Sequence, residues 1–310
     1  MIFNCTVYYV NDPDNNRRYK TEIEAENLEN AKETLLKNQN VSEIDHYELA
    51  SDDECVCFIQ DGVTSIAKDA FFLRRDLTSV IIPDSVTTIG GTAFYRSGLK
   101  SVSFGKGVKT IGKAAFSECV ELTSLILPES VKTIGSYAFS ACTKLESITL
   151  GNKITAIKDH AFEKCESLTS IVIPDSVKTM DTWVFYACTK LSNVTIGNKL
   201  TSIPNYTFPN CEALSSIDLP NSIESIGTNA FADCSSMTAI TFGNNLKTLG
   251  NNIFNRCDGL TSVTLPNSIE SAGSNVFYSC ANLKSIFIPA GTKERFATIL
   301  PEYVDLLIEQ

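Results

Sequence analysis

The chain is poor in the residues that most chemistry needs. Its 310 residues hold two histidines, one tryptophan and three methionines. The histidines, His46 and His160, fall in different parts of the chain, and neither sits in a nucleophile motif. No Gly-x-Gly-x-x-Gly, phosphate loop, His-Glu-x-x-His or calcium loop occurs, and the carboxylates form no paired slot. No Cys-x-x-Cys pair is present either, and Cys55-x-Cys57 with Cys5 is explained by strand alternation better than by a metal. The sequence therefore predicts no catalytic residue, no cofactor and no metal site. No apolar run approaches the roughly 18 residues of a membrane span, which speaks against membrane insertion. A basic face is also lacking. The net charge is −10, and residues 1–60 carry 13 Asp+Glu against 5 Lys+Arg. An acidic head on a nearly neutral body argues against nucleic-acid binding.

What is present is a period. Phe71, Phe94, Phe116, Phe139, Phe162, Phe185, Phe208, Phe231, Phe254 and Phe277 recur every 23 residues, with one step of 22 between Phe94 and Phe116. A repeat of that length marks a leucine-rich solenoid. Within a unit, Leu122, Leu125 and Leu127 alternate as a strand does. Val131 and Ile134 open a second short extended piece. Phe139 and Cys142 sit three apart, the spacing of a short helical turn. One unit cannot cover its own apolar side, so the core forms only when units stack. Unit ends alternate between proline (Pro83, Pro128, Pro174, Pro220, Pro266) and glycine (Gly105, Gly151, Gly197, Gly243). Eight of the eleven cysteines share the slot three after the phenylalanine, from Cys119 to Cys280, while Arg74 and Ser97 take it in the first two units. Equivalent side chains in a solenoid point the same way, and unpaired cysteine is among the most buried residue types, so free thiols are expected over disulfides.

The run LTSLILPESVKTIGSYAFSAC, residues 122–142, resembles the BspA-like leucine-rich repeats, and the match recurs through residues 61–289. The tail AGTKERFATILPEYVDLLIEQ resembles the closing segment of bacterial members, a short helix and a final strand. The resemblance implies a leucine-rich repeat β-solenoid, right-handed, of ten units bearing a parallel sheet. It implies binding and no reaction, often at a cell surface, and carries over no ligand site. The N-terminus MIFNCTVYYV lacks a basic leader and a cleavage site. The expectation is a cytoplasmic protein as the chain stands, or a surface or secreted one if a leader has been removed.

Residues 1–53 read as a small α+β N-terminal domain, residues 54–289 as the solenoid and 290–310 as a C-terminal cap. IFNCTVYYV and RRYKTEIEAE alternate as two strands, and EIDHYEL as a third. Residues 30–37 read as a helix with Asn27 as its N-cap. This head is either a cap over the first open edge or an acidic docking module.

Comparing equivalent slots picks out candidate binding residues. Two before the phenylalanine stand Asp69, Thr92, Ala114, Tyr137, His160, Trp183, Tyr206, Asn229, Asn252 and Asn275. Four consecutive rings would form one stripe, with Tyr186 beside it and Asn229 and Asn252 extending it. The stripe is either a packing ladder or a surface for a protein or glycan ligand. A second candidate is the outer face of the main sheet, with Ile81, Ser103, Ile126, Thr149, Val172, Thr195, Asp218, Thr241, Thr264 and Phe287 in one row. The expected function is non-catalytic binding or adhesion; the alternative is an intracellular scaffold holding one partner by the acidic head and another by the solenoid.

Overall fold

A computed structural model describes residues 55–310 and, ahead of them, the backbone of the strands Phe3–Val10, Arg18–Ala25 and His46–Ala50. The helix expected at 30–37 lies outside the described residues. Phe3–Val10 pairs antiparallel with Arg18–Ala25 and with His46–Ala50, which pairs antiparallel with Cys55–Ile59. From Cys55–Ile59 onward the chain winds into a parallel solenoid of about 11 turns, each adding one strand to the main sheet as far as Ser285–Ile288.

Three backbone seams run along the solenoid. The first is the main sheet, in register at one turn: Ser170 faces Asn193, and Ile173 faces Ile196. The second is a row of two-residue strands from Ser65–Ile66 to Ser271–Ala272. The third runs along the segment around the phenylalanine, where alternate N–H groups donate forward. Tyr137 donates to Asp159 O at 2.9 Å, Phe139 to Ala161 O at 2.9 Å and Ala141 to Glu163 O at 2.7 Å. This segment is not the helical turn its spacing predicts. The slots two before and two after each phenylalanine are left-handed throughout, with φ of 58° at Tyr137 and 56° at Ala141. A left-handed residue breaks a right-handed helix, so the chain makes consecutive tight turns instead.

The phenylalanines stack through the whole core, with centroids 5.0–5.6 Å apart and planes within 10° of parallel. The cysteines beside them are free thiols that donate hydrogen bonds. Sγ of Cys142 donates to the carbonyl of Phe116 at 3.1 Å, Cys165 to Phe139 at 3.2 Å, and the pattern holds to Cys280 on Phe254 at 2.9 Å. Each of those carbonyls also accepts a backbone N–H from its own turn, as Phe139 does from Cys142. A carbonyl has two lone pairs, and the thiol fills the second in a space too dry for water. Burial pushes the thiols well up from their ordinary range, to about 12 for Cys119 and Cys188. In the first unit Arg74 occupies the slot, buried and held two-pronged by Asp76 at 2.9 and 2.7 Å. In the second, Ser97 bonds Cys119 Sγ at 3.2 Å.

Proline and glycine corners are matched. A Cβ at Gly105 would lie 2.2 Å from the Pro83 carbonyl oxygen, and one at Gly243 would lie 2.5 Å from that of Pro220. At these four corners, Gly105, Gly151, Gly197 and Gly243, the proline turn comes so close to the next that a Cβ would clash, whereas the turn after Pro266 carries Pro289.

Residues 290–310 close the last turn. The helix Lys293–Ile299 buries Phe296, and Leu307–Glu309 adds a parallel strand beside Ser285–Ile288. Two side chains of the 3-10 segment Pro301–Leu306 replace the carbonyls that a further turn would supply. Asn275 N–H donates to Glu302 Oε2 at 2.7 Å, and Phe277 N–H to the Tyr303 hydroxyl at 3.0 Å.

The main sheet is interrupted three times: after Ser101–Ser103, after Asn193–Ile196 and after Ala239–Thr241. At the first and third interruptions a phenylalanine replaces the aliphatic residue in the last inward strand slot. Phe104 lies edge-on to Phe116 at 5.8 Å and Phe242 to Phe254 at 6.3 Å, and their bulk holds the strands apart. The middle interruption has Ile196 in that slot. There the second seam stops as well, between Thr179–Met180 and Ser202–Ile203. Pro204 is the cause. Its equivalents donate to the turn before, Asp181 to Ile157 O at 2.9 Å and Gly227 to Ile203 O at 2.8 Å. Proline has no N–H to give to Met180.

Candidate functional site

The structure brings the stripe residues into one stack. Tyr137 and His160 lie 4.4 Å apart between centroids, His160 and Trp183 5.9 Å, and Trp183 and Tyr206 4.0 Å, all within 5° of parallel. Tyr186 meets Trp183 edge-on at 5.2 Å. His160 Nδ1 is 2.8 Å from Glu163 Oε2, which orients the imidazole. Burial, with Glu163 and Asp159 nearby, pushes the Tyr137 phenol up from its ordinary range. Every ring is half-buried, so an edge of each reaches solvent while the inner faces cover one another. Asn229 and Asn252 follow in the same slot on the next turns, also half-buried.

The backbone of this slot explains its asparagines and sets the rings apart. Asn229, Asn252 and Asn275 have φ of 52°, 53° and 57°, a conformation asparagine tolerates better than most residues. His160, Trp183 and Tyr206 adopt the same geometry at 56°, 60° and 54°. The left-handed state costs a side chain with a Cβ roughly 1–2 kcal/mol, and a stacked aromatic pair returns roughly 0.5–1.5 kcal/mol. Four rings share three stacks, which offset part of that strain. The fold has a cheaper occupant in the same slot and uses it three times.

On the outer face of the main sheet, Ile126 and Val172 are exposed, at 74% and 61%, and alternate along the row with hydroxyl residues. The row is interrupted at the Pro204 junction by a groove of about 420 Å³, lined by the strand Asn193–Ile196 on one side and by the strand Ser216–Asp218 with Leu219 and Pro220 on the other. Slot comparison did not single out the groove. For the break in the second seam the available signal was Pro204 itself, because its slot is one whose N–H a parallel ladder uses.

Among the described residues, no helix is long and apolar enough to cross a membrane, and no three His, Cys, Asp or Glu side chains group so as to hold a metal ion.

A family model described as a BspA type leucine rich repeat region matches residues 64–192 and 182–297. Among solved structures, a leucine-rich repeat protein from Eubacterium ventriosum is 19% identical over 76% of this chain and 92% of its own, with a TM-score of 0.50. A leucine rich cell surface protein from Faecalibacterium prausnitzii is 26% identical over 79% of this chain and 87% of its own, with a TM-score of 0.43. The pneumococcal vaccine antigen PcpA is 21% identical over 81% and 86%, with a TM-score of 0.47. No curated protein matches the sequence significantly.

Proposed function

The chain belongs to the BspA-type leucine-rich repeat family, and from that premise we propose that it is a non-catalytic binding protein whose partner is a protein, held along the stripe of Tyr137, His160, Trp183 and Tyr206. Membership speaks for a binding or adhesion role in general; the partner and the surface are our reading. One observation carries it: four bulky rings occupy a strained left-handed slot that asparagine fills elsewhere at lower cost. Spending that strain on a half-exposed surface makes sense if the rings meet something. Their stacking favours a protein over a glycan, because a sugar needs a free ring face and the inner faces here are covered. The exposed edges offer instead a row of phenol, imidazole and indole groups, the large, stiff contacts that dominate protein interfaces. In this reading residues 1–53 and 290–310 close the two ends of the solenoid, and the stripe lies on its middle turns.

Trp183 is the only tryptophan, so its emission reports on the stripe. Titration with a panel of host matrix proteins should give a saturable shift with at least one. Trp183→Asn puts the slot's own alternative in place; it should keep the circular dichroism and the stability within about 1 kcal/mol yet lose the partner. A variant that still binds with unchanged affinity would remove the stripe from consideration. A large loss of stability without loss of binding would make the rings a packing ladder.

A further inference from the structure

We infer that the groove at the Pro204 junction is a second site, taking a small neutral polyhydroxylated ligand such as one or two pyranose rings. Three departures from the repeat meet there. Pro204 cuts the second seam, and the main sheet parts at the same junction. Asn193 stands where the equivalent positions hold serine in every other unit but that of Ala239. Asp218 is the only charged residue in its outward row. Separate slots of the repeat have thus changed, and all three changes fall at one of the solenoid's junctions.

The junction differs from the other two sheet interruptions in the residue that lies beneath it. Phe104 and Phe242 wedge their rings into the core beside those gaps. The Pro204 junction has Ile196 instead, and about 420 Å³ stays empty, within the usual range for a small-molecule site. Its floor is apolar: Val194 is only partly buried, as Val102 and Ile240 are at the other two interruptions, and Ile217 is buried. Its rim is polar, made of Asn193, Thr195, Ser216 and Asp218, all exposed. Asn193 donates from Nδ2 only to its neighbour Ser192 at 3.1 Å. Among the described residues the Asp218 carboxylate has neither a hydrogen bond nor an ion pair. The parted strands also leave backbone N–H and C=O groups without ladder partners on both sides of the gap.

That set of groups selects the ligand class. An amide, two hydroxyls, a carboxylate and unpaired backbone of both kinds ask for a ligand that donates and accepts at many points. Sugar hydroxyls do both, while their C–H faces suit the floor of Val194 and Ile217. An ammonium group would satisfy the acceptors alone, and an anion would meet Asp218 unfavourably.

The test is calorimetric titration of the full chain with glucose, galactose, mannose, N-acetylglucosamine and their short β-linked oligomers. Saturable binding of at least one sugar is expected. Asp218→Thr and Asn193→Ser restore what neighbouring units carry, so both should fold, and each should weaken binding roughly tenfold or more. Thr264→Ser, in the Asp218 row on another turn, should change nothing. The inference fails if none of these sugars binds, if Asp218→Thr binds as tightly as the parent, or if n-butylamine binds at Asp218 and the sugars do not. Loss of sugar binding by Trp183→Asn with Asp218→Thr unaffected would move the sugar to the stripe, overturning the groove and the protein-partner reading together. Sugar binding retained by Trp183→Asn but lost in Asp218→Thr supports the groove whatever the stripe does.

Discussion

The junction between the Phe162 and Phe185 turns and the next one along, between the Phe185 and Phe208 turns, are built on the same repeat frame and held together differently. At the first, all three seams are continuous: the strands Ser170–Ile173 and Asn193–Ile196 pair over four residues, and Asp181 N–H reaches Ile157 O. At the second, both strand seams are cut and the third remains, with Phe185 N–H on Thr207 O and Ala187 N–H on Pro209 O at 2.9 Å. The phenylalanine stack continues, at 5.3 Å, and Cys211 still donates to Phe185 O at 3.3 Å. The difference teaches that cohesion in this solenoid lies in its ring-and-thiol spine, and that a turn can lose its sheet without losing its neighbour.

The comparison can be broken or sharpened in order of size. The spine common to both junctions should fail in alkali. Folded, the buried thiols keep their protons to about pH 12 at Cys119 and Cys188, while unfolded thiols release theirs near 9. The unfolded chain then binds fewer protons, so stability is complete below pH 9 and falls as pH rises toward 12. The loss is about 1.4 kcal/mol per pH unit for each such thiol, and urea midpoints from pH 7 to 11 would show it. Cys188→Ala should flatten the decline by one thiol's share.

Removing one ring should tell the junctions apart. Phe208→Ala and Phe139→Ala should each cost about 3–5 kcal/mol. Phe208→Ala acts where only one backbone seam is left, so its calorimetric unfolding should split into two transitions; Phe139→Ala should keep one. The smallest effect belongs to Pro204→Gly. It returns an N–H for Met180 O, worth about 1 kcal/mol, against a similar loss from a looser unfolded chain. Stability should barely move, while hydrogen exchange at Thr201, in the restored seam, should slow relative to the parent.

Much of this spine was legible from spacing alone. Phe94 and Phe116 are 22 apart and the rest 23, and a side chain at fixed phase in a solenoid has nowhere to point but along the stack. The cysteine slot was legible as buried, but its role as a donor was not, because that depends on a carbonyl one turn earlier. The spacing of Phe139 and Cys142 misled: i to i+3 contacts occur in consecutive tight turns as they do in a helical turn, and only φ tells them apart. The left-handed slot could have been read from Asn229, Asn252 and Asn275, yet Tyr137, His160 and Trp183 beside them obscured it. Slot comparison asked which side chains change and not which backbone donors vanish, so Pro204 was noticed as a departure while its effect on the ladder was not. The cut second seam is a consequence of that missing donor.

The matched corners bear on how such a chain lengthens. Gly105 fits because the Pro83 corner crowds it, and Gly243 because of Pro220. The alternation ends where Pro266 is followed by Pro289 and the chain passes into its closing segment. Between Pro83 and Gly243, copying a proline turn together with its glycine turn keeps every such contact. The unit that can be duplicated there without a clash is the pair.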